Sequence, residues 1–308
     1  MKILPIIRNT LVASILSAVA LFAEALRFSS VSVGTNNVAT LSISGPTNQA
    51  CVLERAAWSS NFNWESVTNY TLSSSGSASL SASLIGNTNA VFRTRSTNNA
   101  YYSTNAVGVL IGYCRNKYEL IGNPFGPISD FTEILPSPLD GLSVFLWNGT
   151  GYDGYDYVDG AWSATADIGP LEGFFIRNTS TNQTQRFVIA NLFSTNSLNL
   201  SIGTNNALLC SQRFWPLVTN SIPTQVDLMQ TNRLGGYSGL PVQGTSTNTW
   251  TLVQRWDWSS QAYTVYGLTN SVWRVGTNQM DVPLSYGEGF FFRTATNSTW
   301  TANRSIWP

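Results

Sequence analysis

Leu171-Glu172-Gly173-Phe174-Phe175-Ile176-Arg177 and Gly287-Glu288-Gly289-Phe290-Phe291-Phe292-Arg293 are one phrase written twice. The Gly-Phe-Phe-x-Arg part alternates its faces as a strand does, and its glycine suggests a bulge or a close backbone approach. Working outward, the same order of signals surrounds both. Leu120 to Phe125 sits against Leu208 to Phe214, Val144 to Trp147 against Val253 to Trp256, and Tyr152 to Trp162 against Tyr263 to Trp273. Agreement in order and spacing marks an internal repeat, with copies at about 107–190 and 198–306. The second is longer by a Gly-, Ser- and Asn-rich insertion around Met229 to Thr249, the composition of a surface loop. Trp147-Asn148-Gly149 and Asp159-Gly160 are hairpin signals, because tight hairpins need positive φ. The two copies predict one pseudo-symmetric unit over 107–308, either two packed small sheets or a single sandwich.

Upstream, residues 26–97 show short alternating runs. Phe28, Val31 and Val33 are followed by Ala39, Leu41 and Ile43, then by Cys51 and Leu53, with Gly45-Pro46-Thr47-Asn48 as a turn. Such runs predict a small antiparallel β-sandwich. Residues 98–106 are polar and aperiodic and read as a linker. Thr-Asn pairs recur throughout, as at Thr35-Asn36, Thr204-Asn205 and Thr296-Asn297, and punctuate turns. The fold class is therefore all-β, with no amphipathic helix after the N-terminus.

Lys2 and Arg8 precede an apolar run from Leu11 to Ala23, and Ala23-Glu24-Ala25 has small-x-small spacing. This reads as a secretory signal peptide over 1–25, the run being short of the ~20 residues that span a bilayer. The expected location is secreted, periplasmic or cell-surface, with no transmembrane segment after signal removal. Charged residues are only 10% of the chain and balance to zero, so nucleic acid has no basic patch to bind. Histidine is absent, which excludes Ser-His-Asp and Cys-His catalysis and histidine zinc sites. Cys51, Cys114 and Cys210 form no CxxC motif. Either Cys114 and Cys210 pair across the repeats in an oxidising compartment, or all three are buried thiols.

Val52-Leu53-Glu54-Arg55, Asn63-Trp64 and Phe92-Arg93-Thr94-Arg95 carry a resemblance. They are similar to the "LERS…NW…FYRLR" sandwich modules of large secreted proteins from verrucomicrobial and planctomycete-type bacteria, over about seventy residues. Val91-Phe92 stands where that pattern often has two aromatics. The two-copy region resembles the C-terminal repeats of the same proteins, with "LIANPL", "VYKWDG" and "GEGFF" elements, over about two hundred residues. These elements are Leu120 to Phe125, Val144 to Gly149, and Gly287 to Phe291 with its partner Leu171 to Phe175. The resemblance implies export and architecture, and no mechanism.

Glu172 and Glu288 stand at the same place in each copy, which points to a structural task such as binding a backbone N–H or pairing with Arg177 or Arg293. Trp147 and Trp256 likewise recur and are assigned to the core. Asp153, Asp156 and Asp159 are an acidic cluster that holds either calcium or a solvated strand edge; their spacing is not that of an EF-hand. Trp258, Tyr155 and Trp250 are copy-specific aromatics, suited to stacking on sugars. The chain reads as a non-catalytic secreted or surface β-module protein, adhering to extracellular polysaccharide or an envelope component. The alternatives are a structural subunit that self-associates through β edges, and a carboxylate-based glycosidase.

Overall fold

The computed structural model describes residues 25–57, 63–86, 89–194, 196, 198–202, 204–211, 237–238, 251–269, 272–280, 282, 284–285, 287–294 and 297–302. The predicted signal segment 1–24, Trp250 and most of the insertion lie outside them. In chain order the strands begin with β1 (Arg27–Val33), β2 (Val38–Ser44), β3 (Ala50–Ala56), β4 (Glu65–Thr71), β5 (Ser77–Ser83), β6 (Asn89–Ser96) and β7 (Asn105–Cys114). Next come β8 (Lys117–Gly122), β9 (Leu142–Trp147), β10 (Tyr152–Val158), β11 (Ala161–Trp162), β12 (Gly173–Asn178) and β13 (Gln185–Ser194). The last group is β14 (Leu198–Ile202), β15 (Ala207–Cys210), β16 (Tyr237–Ser238), β17 (Thr251–Asp257), β18 (Ala262–Thr269), β19 (Val272–Val275), β20 (Asn278–Gln279), β21 (Gly289–Arg293) and β22 (Ser298–Ala302). The chain is all-β: among the described residues the only helical element is the 3-10 turn Phe131–Glu133. No helix there is long and apolar enough to cross a membrane.

The N-terminal sandwich stacks β1-β2-β5 on β13-β7-β6-β3-β4. Alternation fills the space between them: Phe28, Ala39, Leu41 and Ile43 from the first sheet meet Cys51, Leu53, Phe92, Val107 and Val109 from the second. A buried ionic knot supports β6. The Glu54 carboxylate accepts from Arg93 Nε and Arg95 Nε, each at 2.7 Å. The Arg93 guanidinium lies 4.0 Å from the Trp64 ring centroid and 5.2 Å from that of Tyr102. Glu54, Trp64, Arg93 and Arg95 come from the Leu-Glu-Arg, Asn-Trp and Phe-Arg-Thr-Arg stretches noted above.

The expected linker at 98–106 and the boundary after it are corrected. Tyr102 bridges Arg95, and β7, assigned to the first repeat, pairs with β6 and with β13 along its whole length. One face of this wall belongs to the sandwich. The other, with Val91, Ala106, Phe187, Ile189 and Phe193, joins Phe125, Phe131, Ile134 and Phe174 in a second core. A strand buried on both faces loses its alternation, which is why Ala106-Val107-Gly108-Val109-Leu110-Ile111 gave no sign of belonging to the sandwich.

Each repeat forms its own sheet. The first runs β8-β12-β9-β10-β11, the second β15-β21-β17-β18-β19-β20. The corresponding strands stand in the same order and in matching register. Phe174 lies opposite Ile121 and Leu146, and Phe290 lies opposite Leu209 and Arg255. Trp147 lies opposite Tyr152, and Trp256 opposite Tyr263; Tyr157 faces Trp162, and Leu268 faces Trp273.

Candidate functional site at the repeat junction

The two sheets meet through contacts that are reciprocal. Ile121 bridges Glu288, and Leu209 bridges Glu172. The Gly122 N–H donates to Gly287 O, and the Cys210 N–H donates to Leu171 O, both at 2.8 Å. Trp147 packs edge-on to Phe291 at 5.1 Å, and Trp256 edge-on to Phe175 at 5.2 Å. Each indole N–H donates into the other repeat, Trp147 to Asn206 O at 3.1 Å and Trp256 to Tyr118 O at 3.2 Å. The Tyr152 and Tyr263 hydroxyls meet at 3.3 Å. The two Glu-Gly-Phe-Phe glycines permit this approach: a Cβ on Gly289 would lie 2.7 Å from Ile121 O, and one on Gly173 would lie 2.9 Å from Leu209 O.

Glu172 and Glu288 brace the same turn in each copy. The Glu172 carboxylate accepts the Gly169 N–H at 2.7 Å, and the Glu288 carboxylate accepts the Ser285 N–H at 2.8 Å. Leu171 (φ 68°) and Gly287 (φ 73°) precede them in the left-handed region. Burial raises both carboxyls above their ordinary value; hydrogen bonding from these N–H groups pulls the other way. Their arginine partners differ from the expected ones. Glu288 pairs with Arg255 Nε at 2.7 Å, not with Arg293. Arg177 is exposed, its guanidinium 5.6 Å over the Tyr118 ring.

The junction is not the same on its two sides. On the side of the second repeat, where it meets the wall of the sandwich, opens a cleft of about 380 Å³. Leu110 and Phe187 form its floor; Glu119, Arg255, Asp257, Trp258 and Glu288 are among its polar and aromatic lining. The Trp258 ring carries the Arg115 guanidinium at 4.7 Å. Its buried indole N–H has no acceptor among the described residues. Asp257 is held below the usual carboxylate value by hydrogen bonds from Ser260 and Ser259. The Glu119 carboxyl has no hydrogen-bond partner among the described residues, and burial pushes it up to about 7, with Arg115 opposing and Glu288 reinforcing the rise.

The register shows what stands at the corresponding positions on the other side. Leu146 matches Arg255 and Ala207 matches Glu119; Asn148 and Asp257 each follow the matched tryptophan, and Trp258 lies in a hairpin loop that is longer than its counterpart between Trp147 and Tyr152. The fold is therefore built once without these charged and aromatic groups. Trp258 was singled out from the sequence as copy-specific; Glu119, Arg255 and Asp257 were not. A position-by-position comparison of the copies for changes of polarity is the signal that finds them.

The other candidates lie elsewhere. Tyr155 packs on Phe131 at 5.1 Å in the core of the first repeat, half-buried. Trp250 is outside the described residues. The three aspartates do not converge. Asp153 and Asp156 point to opposite faces of β10 by its alternation. Asp153 accepts from Asn148 Nδ2 at 3.0 Å, and Asp156 accepts from the Ser143 hydroxyl at 2.6 Å. Asp159 (φ 52°) and Gly160 (φ 80°) make a tight hairpin turn. Among the described residues no three His, Cys, Asp or Glu side chains group to hold a metal ion. Cys51, Cys114 and Cys210 are buried as thiols, and Cys114 and Cys210 are not joined. The chain matches no protein-family model and no curated protein sequence.

Proposed function

We propose that this is a non-catalytic secreted or cell-surface protein, and that the cleft at Trp258 is where it holds a glycan of its surroundings. The observation that carries the reading is the one-sidedness of the cleft. Framework residues recur in both repeats, whereas Glu119 and Arg255 have Ala207 and Leu146 at their matching positions, and Trp258 stands in a hairpin loop that is shorter in the first repeat. Groups that the fold does without on one side need another reason to exist on the other. An indole beside carboxylates and an arginine offers a sugar both an apolar face and hydrogen-bonding groups. The N-terminal export signal and the resemblance to secreted modular proteins support the location.

A glycan-array screen with light scattering on the same sample tests this. Binding by a monomer, lost in Trp258→Ala without loss of folding, supports it. Large regular assemblies with no glycan bound refute it in favour of a structural subunit.

One observation favours a second reading, a carboxylate glycosidase. Glu119, pushed up to about 7, has the acidity that a general acid needs near neutral pH. Against it, Glu288 already spends one oxygen on Arg255 and the other on the Ser285 N–H. Release of reducing ends from a bound oligosaccharide, abolished by Glu119→Gln, decides for it.

A further inference from the structure

Four ionisable side chains line the cleft: the carboxyls of Glu119, Asp257 and Glu288, and the guanidinium of Arg255. Negative charge is in excess. Most of it is already engaged. Glu288 accepts from Arg255 Nε and the Ser285 N–H, and Asp257 accepts from the Ser259 N–H and the Ser259 and Ser260 hydroxyls. Glu119 alone has no hydrogen-bond partner among the described residues; the Arg115 guanidinium, which is outside the lining, attracts its charge. The aliphatic and phenyl part of the lining is Leu110, Leu120, Ile121 and Phe187, which offer no hydrogen bond from their side chains. A carboxyl left unsatisfied beside apolar groups costs stability unless something completes it.

The chemistry of the completing group follows from the charges. An anionic ligand meets three carboxyls and one arginine that is already paired. A neutral hydroxyl fills a hydrogen bond but adds no positive charge to a lining that holds three carboxyls and one guanidinium. An ammonium does both. The aromatic wall accepts a cation as well: Arg115 already lies 4.7 Å over the Trp258 ring.

We infer that the cleft selects a glycan carrying a free amino group, with the ammonium paired to Glu119 and the sugar ring against Trp258. This rests on the glycan-binding reading above and names its ligand class. It also explains why the group at the position matching Ala207 is a carboxylate rather than an amide, since an amide would serve a neutral sugar equally well.

Calorimetric titration of the full chain near neutral pH tests it, with glucosamine oligomers and N-acetylglucosamine oligomers of equal length as probes. The glucosamine oligomer is expected to bind at least about tenfold more tightly. Glu119→Gln should erase that preference while leaving the melting temperature at or above that of the parent. Glu119→Ala, which copies the residue at position 207, should do the same. Equal or tighter binding of the acetylated oligomer, or a preference that survives Glu119→Gln, overturns the inference. If the acetylated oligomer binds and Trp258→Ala abolishes it, the glycan reading stands while the amine inference falls. If neither oligomer binds, both fall.

Discussion

Replacing Glu119 by Gln should stabilise the protein, and by an amount that depends on pH. The carboxyl titrates at about 7 in the folded chain against an ordinary value of 4.5. Below the lower value both folded and unfolded chains hold the proton, and Glu119 costs nothing by this route. Between the two the folded state binds more protons than the unfolded state, so stability falls as pH rises. Above the folded value the loss is complete. At about 1.4 kcal/mol per pH unit the full gap is worth ~3.4 kcal/mol. Glu119 opens on the cleft and is partly solvated, so a discounted figure of about 2 kcal/mol is the expectation. Gln fills the same space and does not titrate. Urea unfolding of parent and variant at a series of pH values from 5 to 8, roughly the window of the two values, should show curves that meet at the acid end. They should separate steadily, with the variant about 2 kcal/mol more stable at the alkaline end. Glu172 and Glu288 are also raised by burial and give the parent a falling slope of their own. Taking the difference between the two proteins removes most of that slope. A constant offset across the series, or a variant that is less stable at alkaline pH, would mean that Glu119 has a partner in solution and would refute the reasoning.

Three further perturbations probe the framework. Glu54→Gln removes the charge partner of both Arg93 and Arg95 and leaves one of them facing an amide NH2, and should cost about 3–5 kcal/mol in denaturant unfolding. Trp147→Phe and Trp256→Phe each remove an indole N–H and leave a carbonyl of the other repeat without its donor. Each should cost about 2 kcal/mol, and because the contacts are reciprocal the two losses should agree to within about 1 kcal/mol; a large inequality would show that only one side of the junction bears load. Gly289→Ala places a methyl 2.7 Å from Ile121 O and 2.8 Å from Leu120 Cδ1. It should lower unfolding stability by about 1–3 kcal/mol, and unchanged stability would mean that the strands separate there at little cost.

Most of the architecture was legible because β-structure announces itself by period and punctuation. The Gly-Phe-Phe-x-Arg phrase, the Asn-Gly and Asp-Gly turns and the paired tryptophans identified both repeat sheets and their corresponding strands. Even the close approach at the phrase's glycine could be anticipated, since little else explains a glycine in a buried strand. The wall strands β7 and β13 were not placed, for a definite reason. Their residues face two cores at once, the sandwich through Val107, Val109 and Val188, and the first repeat through Ala106, Phe187 and Ile189. Period-two patterning exists only where one face is wet. The aspartates, close in the chain, stand apart for a related reason: nearness in sequence along a strand is separation in space, because each step turns a side chain to the other face.

The cleft lay beyond both kinds of signal, and the cause is instructive about repeats. Sequence comparison of two copies rewards what they share, and what they share here is framework: Glu172 with Glu288, Trp147 with Trp256, Tyr152 with Tyr263. Trp147, Trp256, Tyr152 and Tyr263 hold one repeat against the other, and Glu172 and Glu288 each brace a turn of their own copy. A residue so engaged is poorly placed to take a ligand, since releasing it loosens the junction. The groups available for binding must then come from positions where the copies disagree, and there Glu119 stands in place of an alanine, Arg255 in place of a leucine, and Trp258 in a hairpin loop that is shorter in the other copy. A duplicated unit thus supplies a control for its own function. A charge whose counterpart is small or apolar, or an indole on a loop extended in one copy, is not needed to fold the repeat, and in this chain Glu119, Arg255 and Trp258, together with Asp257, converge on one cleft.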